Sequence, residues 1–408
     1  MTERVNTVIV GGGQGGLSVS YYLAQQGHDH VVLDQAAQPA AAWREQRWDS
    51  FTLNTPNWTF RLPGAVYDGG DPDGFMARDE IVRTFEDYMA CFKLPVRYGV
   101  RVTGVEPRDS GYTVATDTDV FEAANVVVAT GTFQRPKVSL LSRDLPADIA
   151  QFDSGTYRNP DQLPPGAVLV VGSGQSGCQI AEELYESGRK VYLCVGTAGR
   201  SPRRYRGRDI FWWLTETGFY SRTVDKLPSP RARFVGAPQL SGTRGGHNIN
   251  LHRFARDGVT LLGHLRGARG SKIILAPDLK DSLAKMDAVE MELVKMVDQY
   301  IERLGLDAPP EELPHLRDGY DAEVVTELDL RATGITSIVW AIGHTWDFSL
   351  VKLPVFDDMG YPVTQRGVTG YPGLYFAGLH WLHMHKSGLL LGVGDDATHV
   401  ASHLIARG

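Results

Sequence analysis

The chain has 408 residues, with 41 Lys and Arg against 48 Asp and Glu, for a formal net charge of −7. That length accommodates two or three domains with a substantial core, and the acidic balance disfavours nucleic acid, whose backbone needs a basic surface. No apolar run approaches a membrane span, and Met1-Thr2-Glu3-Arg4 leads directly into a strand with no signal pattern, so a cytoplasmic protein with no membrane association is expected.

Val8-Ile9-Val10 reads as a buried strand running into Gly11-Gly12-Gly13-Gln14-Gly15-Gly16. In a GxGxxG turn the first glycine permits the tight bend, the second lets the backbone approach a pyrophosphate, and the third lets the helix pack on the strand. The helix N-terminus then offers free N–H groups and a positive dipole end to phosphates. Leu17, Tyr21, Leu23 and Ala24 give that helix an apolar face ending at Gly27, and Val31-Val32-Leu33 is a second strand that ends on Asp34. A carboxylate at that place accepts hydrogen bonds from ribose hydroxyls. Asp34, with Gln35 beside it, therefore completes a dinucleotide fingerprint rather than an isolated glycine motif.

Arg78 to Phe92 reads as a helix with Ile81, Phe85 and Tyr88 on one side, and short strands follow at Val100–Val102, Tyr112–Val114 and Asn125–Val128. The last enters Ala129-Thr130-Gly131, with Pro136 beyond. A strand ending in a small-residue turn lets the backbone pass close to a cofactor, which makes Thr130 and Gly131 candidate contacts, together with Val102. From Pro146 to Pro165 the composition turns proline-rich and reads as a crossover into a second domain.

That domain repeats the signature. Val168 to Val171 runs into Gly172-Ser173-Gly174-Gln175-Ser176-Gly177, a helix carries Ile180, Ala181 and Leu184, and Val191 to Val195 is the next strand. Val195 and Gly196 stand where the first unit has Asp34, so no carboxylate waits for a 2′-hydroxyl. Arg200, Arg203, Arg204, Arg206 and Arg208 follow instead, and arginine suits a 2′-phosphate through bidentate, permanently charged contacts. This favours NADPH over NADH, with Arg200 and Arg203 as the candidate readers; the alternative is a solvated basic loop.

Past the arginines, Phe211, Trp212, Trp213, Phe219, Tyr220, His247 and His252 lie in a stretch without nucleotide signature. It reads either as part of a substrate pocket or as a helical insertion using its aromatics as core. Asp281 to Leu304 reads as a long amphipathic helix with Leu283, Met286, Met291, Val294, Val297, Ile301 and Leu304 broadly on one side, the methionines in the core. From Ile335 the chain reads as a return to the first domain, through Ser337 to Trp340 into Ala341-Ile342-Gly343, then Gly373 to Gly378 and a helix from Gly394 to Ala406. His380, His383 and His385 have no further ligands at convincing spacing, so no metal is expected. The three cysteines, Cys91, Cys178 and Cys194, form no CxxC or CxxxxC pair, which argues against a disulfide reductase and sends the electrons to another acceptor.

The fold expected is α/β, with two Rossmann-like dinucleotide-binding domains, the second inserted into the first. The first would comprise residues 1–158 and 322–408, and the second residues 159–321 with an aromatic-rich helical insertion from about 205 to 318.

Together the paired fingerprints, Ala129-Thr130-Gly131 with Pro136, Ala341-Ile342-Gly343, and Gly373 to Gly378 resemble the class B flavoprotein monooxygenases, the group of flavin-containing monooxygenases, YUCCA enzymes and Baeyer-Villiger monooxygenases. The resemblance covers most of the chain and is weakest from about Tyr205 to Asp318. It implies FAD on the first fingerprint and NADPH on the second, with Gly378, Trp43 and Arg44 among the FAD contacts. It also makes Asn54, in Leu53-Asn54-Thr55-Pro56, a candidate beside the reactive flavin edge, where it would bond a flavin peroxide or the nicotinamide amide; a turn-stabilising Asn is the alternative.

One departure stands out. The FxGxxxH fingerprint of that family would fall on Ala147, Ile149 and Asp153, none of which matches. The activity implied is an NADPH-dependent monooxygenase that forms a flavin C4a-(hydro)peroxide and oxygenates a small organic substrate with O2, at nitrogen, sulfur or a carbonyl. A flavin oxidase or dehydrogenase without oxygen insertion and a non-enzymatic redox sensor remain as alternatives, and a homodimer is allowed.

Overall fold

The computed structural model describes residues 2–236 and 238–407. Two sheets organise them. In the first, strands run in the order Val96–Tyr98, His30–Asp34, Thr2–Val10, Val120–Val128, Gly111–Thr116 and Val102–Arg108, with Leu374–Phe376 also paired to Val120–Val128. Strands Thr2–Val10, His30–Asp34, Val96–Tyr98 and Leu374–Phe376 pair in parallel, whereas Val102–Arg108 and Gly111–Thr116 form an antiparallel meander on Val120–Val128. Side chains alternate between faces. Val8 and Val10 therefore enter one apolar cluster with Val126 and Val128, and Ile9 enters another with Val127 and the C-terminal helix.

The second sheet is parallel throughout, in the order Ala150–Asp153, Ile335–Trp340, Ala167–Val171, Val191–Cys194 and Thr260–Leu262. This corrects the expected domain limits of 158 and 322. Ile335–Trp340 does not return to the first sheet; it lies between two strands of the second, and Ile338 and Val339 are fully buried, as a central parallel strand requires. A strand entering a glycine turn looks alike in either sheet, so local pattern could not assign it. The chain crosses between domains at Arg135–Pro136 and returns at His344–Thr345, and these two crossings pair with each other in antiparallel fashion.

The expected insertion at about 205–318 is also divided. Thr260–Leu262 completes the second sheet, and Leu265–Arg269, Lys272–Leu275 and Glu327–Asp329 form a small antiparallel sheet. The long helix spans Leu279–Leu304; Leu283, Met286, Leu293, Val297 and Ile301 are buried, but Met291 and Leu304 are 58% and 52% exposed, contrary to expectation. Met291 is out of phase with the stripe of 286, 293, 297 and 301, which follows the helical repeat. Trp213 and Tyr220 pack with Val297 and Ile301, so these rings are core.

One side chain reaches across the domains. Trp48, on a loop of the first domain, is 2% exposed and packs into the second-domain core with Val168, Cys178 and Leu251, while its ring meets Phe51 edge-on at 5.1 Å. Trp48→Ala is expected to lower the unfolding free energy by roughly 3–5 kcal/mol in urea titration, the usual cost of deleting a large buried ring. A loss under about 1 kcal/mol would show that this contact does not hold the domains together.

Candidate dinucleotide sites and the cleft between them

The two glycine turns are built alike. Gly11 and Gly172 sit at φ of 108° and 105°, in the left-handed half of backbone space where a side chain would be strained. A Cβ on Gly16 would collide with the Gly11 carbonyl, and one on Gly177 with the Gly172 carbonyl, so each helix packs directly on its strand. Gly13 and Gly174, by contrast, face open space: a Cβ on either would meet no atom within 4 Å. They cap helices Gln14–Gln25 and Gln175–Glu186 without any side-chain cap. Each helix therefore presents unsatisfied N–H groups and its positive end to open space, a cradle that fits a pyrophosphate.

Asp34 binds the first turn to the adjacent strand. Its carboxylate accepts from Gly12 N at 2.6 Å and from Ala36 N at 2.8 Å, which leaves lone pairs for ribose hydroxyls. Gln35 is exposed. Val100 N donates to the Asp34 carbonyl at 2.9 Å, which brings the segment leading to half-buried Val102 beside this acid. In the second turn Ser173 does the tying, its Oγ accepting from Gly196 N at 2.9 Å, while Ser176 stands half-buried in the first helical turn.

The two glutamines are used for anchoring. Gln14 Nε2 donates to Gly388 O at 2.7 Å, and Gln175 exchanges two bonds with the backbone of Leu240, so each amide draws a loop over its own helix start. Gly15 lies against Gly378, which would clash with any side chain there. Gln134, not singled out by the sequence, donates to Thr130 Oγ1 at 3.1 Å and to Gly131 O at 2.9 Å, and accepts from Asp347 N at 2.9 Å. It couples the Thr130-Gly131 turn to the returning chain; nothing but a polar residue in a loop marks it in sequence.

The arginine cluster is where expectation and structure part. Arg200 is 5% exposed and is bound by Asp287 and by Glu290, the latter at 2.6 Å. Arg203 is 1% exposed, pairs with Asp209 at 2.7 Å and donates to the Asn54 carbonyl at 2.7 Å. A 2′-phosphate would have to displace a buried carboxylate from either guanidinium, since both are held in internal ion pairs. Their acids, Asp287, Glu290 and Asp209, lie well away in sequence or look like ordinary helix residues. Arg206 pairs with Asp298 at 3.0 Å.

Asn54 is half-buried, and its side-chain amide has no hydrogen-bond partner among the described residues. The turn-stabilising task belongs to Asn57, whose amide accepts from Met76 N at 2.7 Å and donates to Asp71 O at 3.0 Å. Trp43 tilts onto Phe51 at 5.9 Å, and Arg44 pairs with Glu86 at 2.6 Å. Arg47 differs from both: it stacks over Trp43 and Phe51 at 5.4 and 5.6 Å and has no carboxylate partner among the described residues. Burial brings its guanidinium down to about 10, and its charge, after burial itself, helps hold down His344, the residue that follows the Gly343 turn.

A profile described as pyridine nucleotide-disulphide oxidoreductase matches residues 8–210. The chain is 31% identical over 407 residues to an "Uncharacterized oxidoreductase CzcO-like" of Geobacillus kaustophilus, covering 99% of both chains. The chain belongs to the CzcO-like oxidoreductases. It is also 30% identical over 213 residues to the indole-3-pyruvate monooxygenase YUCCA1 of Oryza sativa subsp. japonica, across 50% of this chain and 51% of that one. The flavin-containing monooxygenase of Stenotrophomonas maltophilia shares the fold, with a TM-score of 0.68 at 20% identity and 99% of each chain covered.

For a CzcO-like oxidoreductase carrying that profile, the cysteines matter. Cys178 and Cys194 are buried, and burial pushes both thiols up, Cys194 to about 12, so neither supplies a thiolate at neutral pH. Asp153, where the wider family carries histidine, closes a turn: its carboxylate accepts from Gly155 N at 2.8 Å and Thr156 N at 3.0 Å. As an acceptor it orders the turn that leaves strand Ala150–Asp153. Among the described residues no helix is long and apolar enough to cross a membrane, and no cluster of His, Cys, Asp or Glu could hold a metal ion.

Three histidines of this CzcO-like chain are half-buried, neutral rings. Burial lowers His344, His380 and His385 to about 4, and His380 shares a 2.6 Å hydrogen bond with Thr132 Oγ1. Their folded values lie below the ordinary 6.5, so the unfolded chain binds more protons between the two. The stability gained from neutral rings is whole above pH 6.5 and is lost as pH falls toward 4. His380→Gln is expected to flatten the decline of the melting temperature over that window; an unchanged slope would mean that the ring does not titrate on unfolding.

Proposed function

We propose that the chain is an FAD-dependent, NADPH-using monooxygenase that oxygenates a small organic substrate with O2. The observation that carries this reading is the pair of open glycine cradles, at the carboxyl ends of strands in two sheets joined by paired crossings, with no CxxC or CxxxxC thiol pair to receive electrons. The similarity to enzymes named monooxygenases supports it. FAD, when bound, would take a hydride from NADPH and use the reducing equivalents to activate oxygen for transfer to an amine, a sulfide or a ketone.

The chain's own residues have separable tasks. Gly13 and the start of helix Gln14–Gln25 hold the FAD pyrophosphate, and Asp34 holds the ribose. Gly174, Ser176 and the start of helix Gln175–Glu186 hold the second pyrophosphate. The free amide of Asn54 would bond the nicotinamide or the flavin edge, and Trp43 and Phe51 would help to exclude water. The phosphate-reading cation is Arg47, with no acid of its own, rather than Arg200 or Arg203. An unpaired, partly desolvated guanidinium is costly unless an anion meets it.

A second reading, an NAD(P)H oxidase or dehydrogenase without oxygen insertion, is favoured by Asp153 in the linker. The two separate in a turnover assay with NADPH and amines, sulfides and ketones. Oxygenated product is expected with at least one class. If every electron pair from NADPH ends in hydrogen peroxide with all of them, the monooxygenase reading is lost. Arg47→Ala should retain FAD and weaken NADPH binding by about tenfold or more, the worth of a charge-assisted hydrogen bond. Unchanged affinity by titration would return the phosphate to another cation.

A further inference from the structure

Arg203 does something that no glycine fingerprint requires. Its side chain is 2% exposed and spans the two domains, with Nη1 donating to the Asn54 carbonyl and Nη2 to Asp209, each at 2.7 Å. Phe75 of the first domain and Phe211 of the second flank it at 4.8 and 5.2 Å to their ring centres. Gly246 closes a third side, since a Cβ there would press on both Phe75 and the Arg203 side chain. Asp209 is fixed in turn as the cap of helix Ile210–Glu216, accepting from Phe211 N at 2.8 Å. The backbone N of Arg203 donates to Asn248 Oδ1 at 2.5 Å, on the hairpin whose other strand, at Leu240, holds Gln175 of the second cradle.

These contacts form one rigid chain: second glycine turn, Gln175, hairpin Leu240–Asn248, Arg203, Asn54. We propose that Arg203 is a positioning residue that sets the Asn54 loop against the second nucleotide site, so that hydride delivery depends on it although it touches neither nucleotide. This rests on the assignment of Asn54 and the two nucleotides made above. A buried ion pair is a poor source of stability, because desolvation offsets most of its Coulomb energy. A planar fork with two fixed donors is, however, well suited to holding a backbone carbonyl at a set distance from a carboxylate. Lysine preserves the charge and can reach one partner, but it cannot span both in the same plane.

The test uses the FAD-loaded enzyme, with Arg203→Lys, Asn54→Ala and the double variant, and reads FAD content, NADPH affinity and the limiting rate of anaerobic flavin reduction. In Arg203→Lys, FAD content and NADPH affinity are expected to stay within about twofold. The limiting rate should fall by about tenfold or more, since misplacement of the order of an ångström costs up to a hundredfold. Adding Arg203→Lys to Asn54→Ala should cost little further, because the two act through one element. Full additivity of the two rate losses, or an unchanged rate in Arg203→Lys, overturns the inference. If Arg203→Lys fails to fold, Asp209→Asn, which keeps the fork on Asn54 while removing its counter-charge, takes its place under the same criteria. Absence of NADPH-driven reduction in the unaltered enzyme would instead remove the functional reading on which the inference rests.

Discussion

Two helices begin in contact with the backbone of the strands that precede them, and most of the architecture follows from that closeness. Where Gly16 meets the Gly11 carbonyl and Gly177 meets the Gly172 carbonyl, no side chain fits. The free N–H groups of each helix are thereby brought to the carboxyl end of a parallel strand, where neighbouring turns at Ala129 and Ala341 close the same edge through bonds to Val10 and Val171. Ligands in open α/β sheets lie at such edges because the chain leaves there in opposite directions. Here the arrangement occurs twice, and the paired crossings Arg135–Pro136 and His344–Thr345 join the two edges.

Local chemistry made this much legible in the sequence. A GxGxxG turn, an apolar strand before it and an acid at the end of the next strand act over short separations, and Gly12 N does lie 2.6 Å from Asp34. Sheet membership was not legible. Ser337 to Trp340 has the same apolar run and glycine exit as Asn125 to Val128, and only pairing across long separations decides which sheet each joins. The same limit misplaced the domain boundaries. It also hid the double role of the segment after Tyr205, where Thr260–Leu262 serves the sheet while Trp213 and Tyr220 serve the helix Leu279–Leu304.

Charge is the harder quantity to read along a chain. Five arginines after Val195 look like a phosphate site because sequence shows cations without their counter-ions. Asp287 and Glu290, on a helix far along the chain, and Asp209, capping another, then claim the two most deeply buried guanidiniums. Arg204 bonds only backbone carbonyls and Arg208 stacks on Trp212, while Arg47, which also meets no carboxylate among the described residues, sits in a stretch whose visible features were aromatic, and nothing in Gln46-Arg47-Trp48 distinguishes it from a surface residue. Whether an arginine can read a ligand depends on which carboxylates reach it first, and those are set by tertiary packing.

The linker carries the same lesson to the chemistry between the sites. A histidine at position 153 could donate a hydrogen bond across the crossing; aspartate can only accept, and both bonds it accepts are local, from Gly155 and Thr156. Order after strand Ala150–Asp153 thus comes from a self-contained turn, and contact between the domains falls to other side chains: Trp48 in the second core and Arg203 on the Asn54 loop. Relative placement of the two cradles is therefore held by buried side chains at the interface and not by the turn at Asp153.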